Sequence, residues 1–242
     1  MAIRGIDADF GAYQADTFFN DLHKTLKADF IMANPPFNLS NWGQEKLKED
    51  VRWKYGTPPA GNANYAWIQH MICSMSSGKG RMAVVMPQGI LFRNQETEIR
   101  KQLVESDLIE AVVTLGDKLF YGTGLSPCFL IIRRMKPAHH SGRILMIDGS
   151  KILTQKRAQN ILEENDIDRL YSLYQNYSDE EDYSRIVTLQ EIRDKEYNLS
   201  PNRYVVYHKE EIRPYAEVLA EFKHAYEEVK RLEEEFSLLI NA

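Results

Sequence analysis

The chain has 242 residues, 43% of them hydrophobic and 27% charged, with 13 Gly, 9 Pro, 2 Cys and a formal net charge of −5. These fractions belong to an ordinary globular protein and exclude collagen-like, disulfide-scaffold and wholly disordered chains. The longest apolar runs, at 82–86 and 128–132, are strand-sized and far short of the roughly 20 residues that cross a bilayer. The N-terminus carries no secretory pattern, and Cys73 and Cys128 form no motif, so both read as reduced, buried thiols of a cytoplasmic protein.

Charge is unevenly spread. Residues 1–132 hold 13 Lys and Arg against 14 Asp and Glu. From 133 to 157 there are seven basic residues (Arg133, Arg134, Lys136, Arg143, Lys151, Lys156, Arg157) against Asp148 alone, and 158–200 reverses this with 11 acidic against four basic. The basic strip reads either as a track for phosphates or as a solvated surface.

In chain order, Ala2-Ile3 reads as the end of an apolar strand, and Phe30-Ile31-Met32-Ala33 as a second, stopped by Asn34-Pro35-Pro36. Proline cannot continue a central strand and drives the preceding residue to extended geometry. Residues 38–64 lack apolar periodicity and read as a long loop holding Trp42, Trp53 and Tyr55 among Lys46, Lys48, Arg52 and Lys54. Such interleaving suits either nucleic-acid contact or aromatic anchors for the loop. Helical spacing predicts a helix over 64–76, then a buried strand over 81–86, an amphipathic helix over 96–105 and a strand over 109–115. Further strands follow at 127–132 and 142–147. Alternation of this kind predicts an α/β domain with a largely parallel sheet, in which the strands near 109 and 127 pair as a hairpin because no crossover fits between them.

Residues 158–200 read as a short helix and a loosely packed loop, and 197–207 as an extended piece. From 209 to the end one long helix is predicted, with Ile212, Tyr215, Leu219, Phe222, Tyr226, Val229 and Phe236 at steps of three and four. Such a helix carries an apolar stripe that it cannot bury alone, as in a coiled-coil partner helix. His139-His140 has no metal-ligand spacing and reads as a solvated turn, and no metal site is expected. Neither 78–80 nor 122–124 has the context of a phosphate-binding loop.

One motif carries chemistry. Asn34-Pro35-Pro36-Phe37 ends an apolar strand, where open α/β sheets place their ligands. A string of an Asn, Asp or Ser, two prolines and an aromatic arises by chance in roughly one chain of this length in a hundred. The Asn34 side-chain carbonyl and the Pro35 main-chain carbonyl form an acceptor-only pair that can take both hydrogens of a planar amine. Drawing those hydrogens out of plane frees the nitrogen lone pair, a hydrogen bond made in the transition state rather than removal by a base. Phe37 offers a face on which a planar base can stack.

The segment Asp29 to Phe37 resembles the catalytic motif of amino-group DNA methyltransferases, above all the modification subunit of type I restriction-modification systems, an N6-adenine methyltransferase. The resemblance continues through Gly80-Arg81-Met82-Ala83-Val84-Val85-Met86-Pro87, through 115–134 and through Tyr197-Asn198-Leu199-Ser200-Pro201-Asn202-Arg203-Tyr204. It implies a Rossmann-like sheet, S-adenosylmethionine as cofactor, adenine flipped from the duplex, and catalytic positions Asn34, Pro35, Pro36 and Phe37. Asp16 falls where the family's acidic residue approaches the cofactor's adenine. Implied partners are DNA, a specificity subunit contacted by the terminal helix, and a restriction subunit; a homodimer through that helix is the other use of its stripe. The family's glycine-rich cofactor loop has no counterpart in the sequence and is expected upstream of residue 1. The expected organisation is a partial methyltransferase domain over 1–150, an acidic connecting region over 151–208 and a helical tail over 209–242, inactive alone. A non-catalytic interaction module is the competing reading. Methylation of another amide, such as a protein glutamine, is a third, for which related enzymes carry Asn-Pro-Pro-Tyr.

Overall fold

The computed structural model describes residues 5, 7–120, 124–157, 159–208 and 214–240. The strand expected at Ala2-Ile3, part of the 122–124 turn and the start of the terminal helix lie outside them. Among the described residues, six strands form one sheet in the order β1-β2-β4-β3-β5-β6. These are β1 (Phe30–Ala33), β2 (Arg81–Pro87), β3 (Ile109–Leu115), β4 (Pro127–Arg133), β5 (Arg143–Gly149) and β6 (Ser184–Thr188), with helices α1 (Asn64–Ser74), α2 (Thr97–Glu105), α3 (Glu164–Asn176), α4 (Leu189–Asp194) and α5 (Tyr215–Ile240).

The sheet is mixed rather than largely parallel. β1 runs parallel to β2 and β3 parallel to β5, whereas β4 is antiparallel to both β2 and β3, and β6 to β5. The hairpin expected between β3 and β4 is present and is the reason: inserting one reversed strand between β2 and β3 makes two of the five pairings antiparallel. β1, β2 and β3 therefore still point the same way, with their carboxyl ends at one edge.

One face of the sheet is covered by α1 and α2. Tyr65, Ile68, Met82, Val84, Met86, Leu103, Val112 and Leu130 form its main core. The opposite face is covered at the β3–β5 end, where Val113, Leu115, Leu145 and Ile147 meet Leu173 of α3. At the β1 end that face is uncovered among the described residues. The register sets Phe30 and Met32 beside Arg81 and Ala83, and they are 74% and 88% exposed.

The acidic segment is not a loose loop. It contributes α3, β6 and α4, with β6 hydrogen-bonded along β5 and Val187 fully buried. Its charge sits on the solvent side of elements whose apolar residues are few, which is why periodicity alone missed the strand. The 197–207 piece is a turn with a short 3-10 helix at Pro201–Arg203, and its Leu199 and Tyr204 reach the main core. Arg193 of α4 grips Glu105 of α2 through two bonds of 2.8 and 2.7 Å.

Only the first part of the basic strip is used internally, while Arg143, Lys151, Lys156 and Arg157 are exposed and Lys156 pairs with Glu163 at the surface. Arg133 and His140 both bond Glu110, Lys136 pairs with Asp107, and Arg134 donates to the Ile72 carbonyl. His140 is thus no solvated turn; its ring also stacks on Tyr177 at 3.4 Å. Cys128 is buried as expected, but Cys73 is exposed. Among the described residues no helix is long and apolar enough to cross a membrane.

Candidate functional site

Asn34-Pro35-Pro36-Phe37 leaves the carboxyl end of β1 and lines a cleft of about 420 Å³ together with Phe120 and Leu125. The last two come from the segment joining β3 to β4. In the sheet order, β3 lies three strand spacings from β1, ~14 Å at the usual spacing, so this segment folds back across the ends of β4 and β2. It brings the Phe120 ring against Phe37 in a T-shaped pair, with centroids 6.0 Å apart at 83°. Phe120 and Leu125 are missed by reading the motif alone. The only sign of them in the sequence is an apolar pair, Leu119-Phe120, in a stretch between two glycines, Gly116 and Gly124, where no element needs it.

Among the described residues the cleft is lined by no titratable side chain, and the one polar side chain is the Asn34 carboxamide. Asn34 is exposed and Phe37 half-buried. Two prolines in succession fix φ at the centre of the motif and deny it N–H donors, so the cleft's polar wall is biased toward acceptors. Such a wall binds an N–H-bearing planar group and has no group to remove a proton.

The residue after Phe37 is unusually well held. Asn38 adopts a left-handed backbone, φ 52°, and its N–H donates to Oδ1 of Asn64 at 2.9 Å while Asn64 Nδ2 donates back to Asn38 Oδ1 at 3.0 Å. Asn64 opens α1 and is fully buried. Arg93, in the turn after β2, donates to the same Asn38 oxygen at 2.9 Å.

Asp16 is not brought to this cleft. It lines a second one, of about 700 Å³, with Phe19, Leu39, Asn41, Gly43 and Trp42 among its walls. One Asp16 carboxylate oxygen accepts the Phe18 N–H at 2.9 Å, and its carbonyl accepts from Phe19 and Asn20, so the residue also caps a tight turn. A carboxylate beside aromatic and amide groups fits the adenosine part of S-adenosylmethionine. No glycine-rich strand-turn-helix lines this cleft among the described residues, so the fit covers only that part.

Trp42, Trp53 and Tyr55 are loop anchors rather than contacts for a displaced base. All three are buried; Trp42 and Trp53 cluster with Phe18, and their indole N–H groups donate to the Pro59 and Leu47 carbonyls. Arg52 is used in the same way. It pairs with Asp50, whose carboxyl it holds below the usual range, and bonds the Thr17 carbonyl. Among the described residues no cluster of His, Cys, Asp and Glu suited to a metal is present.

Residues 1–212 match the model of the N-6 DNA Methylase family. The chain is 40% identical to the type I restriction enzyme HindI methylase subunit of Haemophilus influenzae, over 85% of this chain and 48% of that protein. It is 36% identical to the MjaVII methylase subunit of Methanocaldococcus jannaschii, over 97% of this chain and 43% of the relative. Among solved structures, the type I restriction-modification methyltransferase subunit from Streptococcus thermophilus superposes with a TM-score of 0.73 at 28% identity, covering 79% of this chain and 41% of that one. The chain thus spans about half the length of the relatives it matches.

Proposed function

Because the chain belongs to the N-6 DNA methylase family, among the methylase subunits of type I restriction enzymes, we propose that it supplies the base-binding half of an adenine N6-methyltransferase that works on DNA. The observation that carries this reading is the cleft itself: Asn34, Pro35 and Phe37 face Phe120 at the carboxyl edge of the sheet, with no titratable group among them. A flipped adenine stacks on Phe37 and is steadied at its edge by Phe120. The Asn34 carboxamide oxygen and the Pro35 carbonyl accept the two hydrogens of its amino group. Both bonds strengthen as the nitrogen becomes tetrahedral, so they favour the transition state over the ground state. S-adenosylmethionine, when bound, supplies an electrophilic methyl group. Asp16 would accept from the amino group of that cofactor's own adenine, using the cleft it shares with Phe19 and Asn41.

We assign the remaining roles by the same family membership: a specificity subunit that chooses the DNA sequence, a restriction subunit in the full assembly, and a cytoplasmic setting. Catalysis by this chain by itself is not part of the proposal, since the described residues hold no glycine-rich cofactor turn. The competing reading is a module that binds a partner without catalysis, and the exposed apolar stripe of α5 is the observation in its favour.

The test is Asn34→Ala in the methylase assembled with its specificity subunit. N6-methyladenine in the target DNA should fall below detection while DNA binding stays within about twofold; retained methylation refutes the assignment. Calorimetry separates the competing reading: if titration of S-adenosylmethionine into the assembled protein gives no binding heat at several temperatures, the catalytic reading fails.

A further inference from the structure

The two walls of the cleft come from segments far apart in the chain, yet a single short turn touches the anchor of each. That turn is residues 88–93, between β2 and α2. At one end, Gln88 Nε2 donates to the Leu115 carbonyl at 2.9 Å and to the Pro127 carbonyl at 3.2 Å, and the Gln88 N–H donates to Ser126 at 3.1 Å. These are the last residue of β3 and the first residues of the return, the base of the segment that carries Phe120 and Leu125. At the other end, Arg93 Nη1 bonds Asn38, directly after Phe37, in concert with the buried Asn64.

The backbone between them is built for this use. A Cβ on Gly89 would stand 2.7 to 3.1 Å from the Arg93 guanidinium, so the guanidinium lies against Gly89 in space that any side chain would occupy. The Arg93 carbonyl is itself fixed by the buried Arg100, whose Nη1 donates to it at 2.8 Å. The turn is therefore braced to the core on one side and bonded to both cleft walls on the other.

We propose that Gln88 and Arg93 act as positioning residues that set the gap between the Phe37 and Phe120 walls, with Asn64 holding the Phe37 wall from α1. None of the three lines the cleft. They act through the backbone that presents Asn34, Phe37 and Phe120, and so set how the two aromatic walls meet around a bound base. This inference rests on the base-binding reading for its function but not for its geometry, so its two arms are separable.

The first arm uses the chain alone and reads hydrogen exchange by mass spectrometry. Arg93→Ala, an exposed position that spares the core, should speed exchange of the 34–39 segment by roughly three- to tenfold, the equivalent of one lost hydrogen bond, and leave 116–126 unchanged. Gln88→Ala should do the reverse, and Arg93→Lys should restore part of the protection. Unchanged exchange in both segments overturns the device. The second arm uses the assembled methylase with two duplexes, one with adenine at the target position to read turnover and one with 2-aminopurine there to read base flipping. Arg93→Ala and Gln88→Ala should each lower kcat by roughly 10- to 100-fold and dim the flipped-base fluorescence, with KM for S-adenosylmethionine unmoved. Unaltered kcat and fluorescence in an active wild-type background overturn the proposal. An inactive wild type refutes the base-binding reading, and the exchange arm then decides the positioning device alone.

Discussion

Asn34 is asked to be an acceptor and nothing more, and that has a consequence for pH. With no titratable side chain lining the cleft among the described residues, the chemical step of the assembled methylase should keep a flat kcat profile across about pH 6 to 9, where a His or raised Glu base would impose a limb. A bell-shaped profile in single-turnover kinetics would point to a base that the cleft does not contain. Asn34→Asp should retain more activity than Asn34→Ala, because a carboxylate still accepts both hydrogens whereas a methyl accepts none. The aromatic pair divides differently. Phe37 stands in the motif beside Asn34 and meets Phe120 in a T-shaped pair, so Phe37→Ala should weaken capture of the extruded base by about 5- to 150-fold, the range of one base–aromatic stack. Phe120→Ala should cost less, and 2-aminopurine fluorescence in equilibrium titrations ranks the two directly.

At the scale of elements, the most consequential polar cluster lies away from the cleft. Glu110 sits inside β3 at 1% exposure and accepts from Arg133 of β4 at 2.9 Å, His140 at 3.0 Å and Tyr174 of α3 at 2.9 Å. Burial pushes its carboxyl up, but the bonds from His140, Arg133 and Tyr174 outweigh it and leave the group below the usual carboxylate range. A depressed folded value means stability that is present above the ordinary carboxyl range and is lost as pH falls through that range toward the folded value. Glu110→Gln should therefore cost about 3 kcal/mol in urea unfolding at neutral pH, by leaving Arg133 without its buried partner, and should flatten the acid limb of stability. The basic residues 133–140 had a legible charge but not a legible use, because their partners, Glu110 on β3 and Asp107 in the turn before it, are brought to them only by the pairing of β3 with β4. Strands of strong apolar character, β2, β3 and β4, could be read from the sequence to within about a residue, and so could the motif, since prolines stop a strand wherever it lies. β6 could not: five residues, Ser-Arg-Ile-Val-Thr, become a strand through pairing with β5. Phe120 was illegible for the same reason, since its meeting with Phe37 depends on strand order. The left-handed Asn38 and its grip by Asn64 depend on a contact 26 residues away in the chain.

At the scale of the whole molecule, each of the two compact units exposes an apolar surface among its described residues. The face of β1 that bears Phe30 and Met32 adjoins a covered face at β3 to β5, so the sheet's packing stops partway across. Exposed, flat, apolar strand surface is the kind that proteins ordinarily cover. The second surface is the helix α5. Tyr215, Val218, Phe222, Ala225, Val229, Leu232 and Phe236 recur at alternating steps of three and four, and the large ones among them are 46 to 79% exposed. This spacing is a heptad seam. Its borders decide what it can pair with. The helix holds seven Glu against three Lys or Arg, and Glu221 and Glu228 sit immediately before the seam residues Phe222 and Val229. Two copies in parallel would set Glu228 against Glu233, and two antiparallel copies would set like edges together; either arrangement places acid against acid. A partner helix edged with Lys or Arg meets no such penalty and gains from it, which favours a specificity subunit of that character over a homodimer. Phe222→Glu with Val229→Glu should then abolish capture of the specificity subunit in size-exclusion chromatography while leaving the thermal midpoint of the sheet-bearing unit unchanged. Glu221→Lys with Glu228→Lys should weaken capture less, and progressively less still as salt rises, because only the charge at the rim is altered. If these lysine substitutions instead strengthen capture, the partner's edge is acidic and the charge argument for a heterotypic partner is wrong.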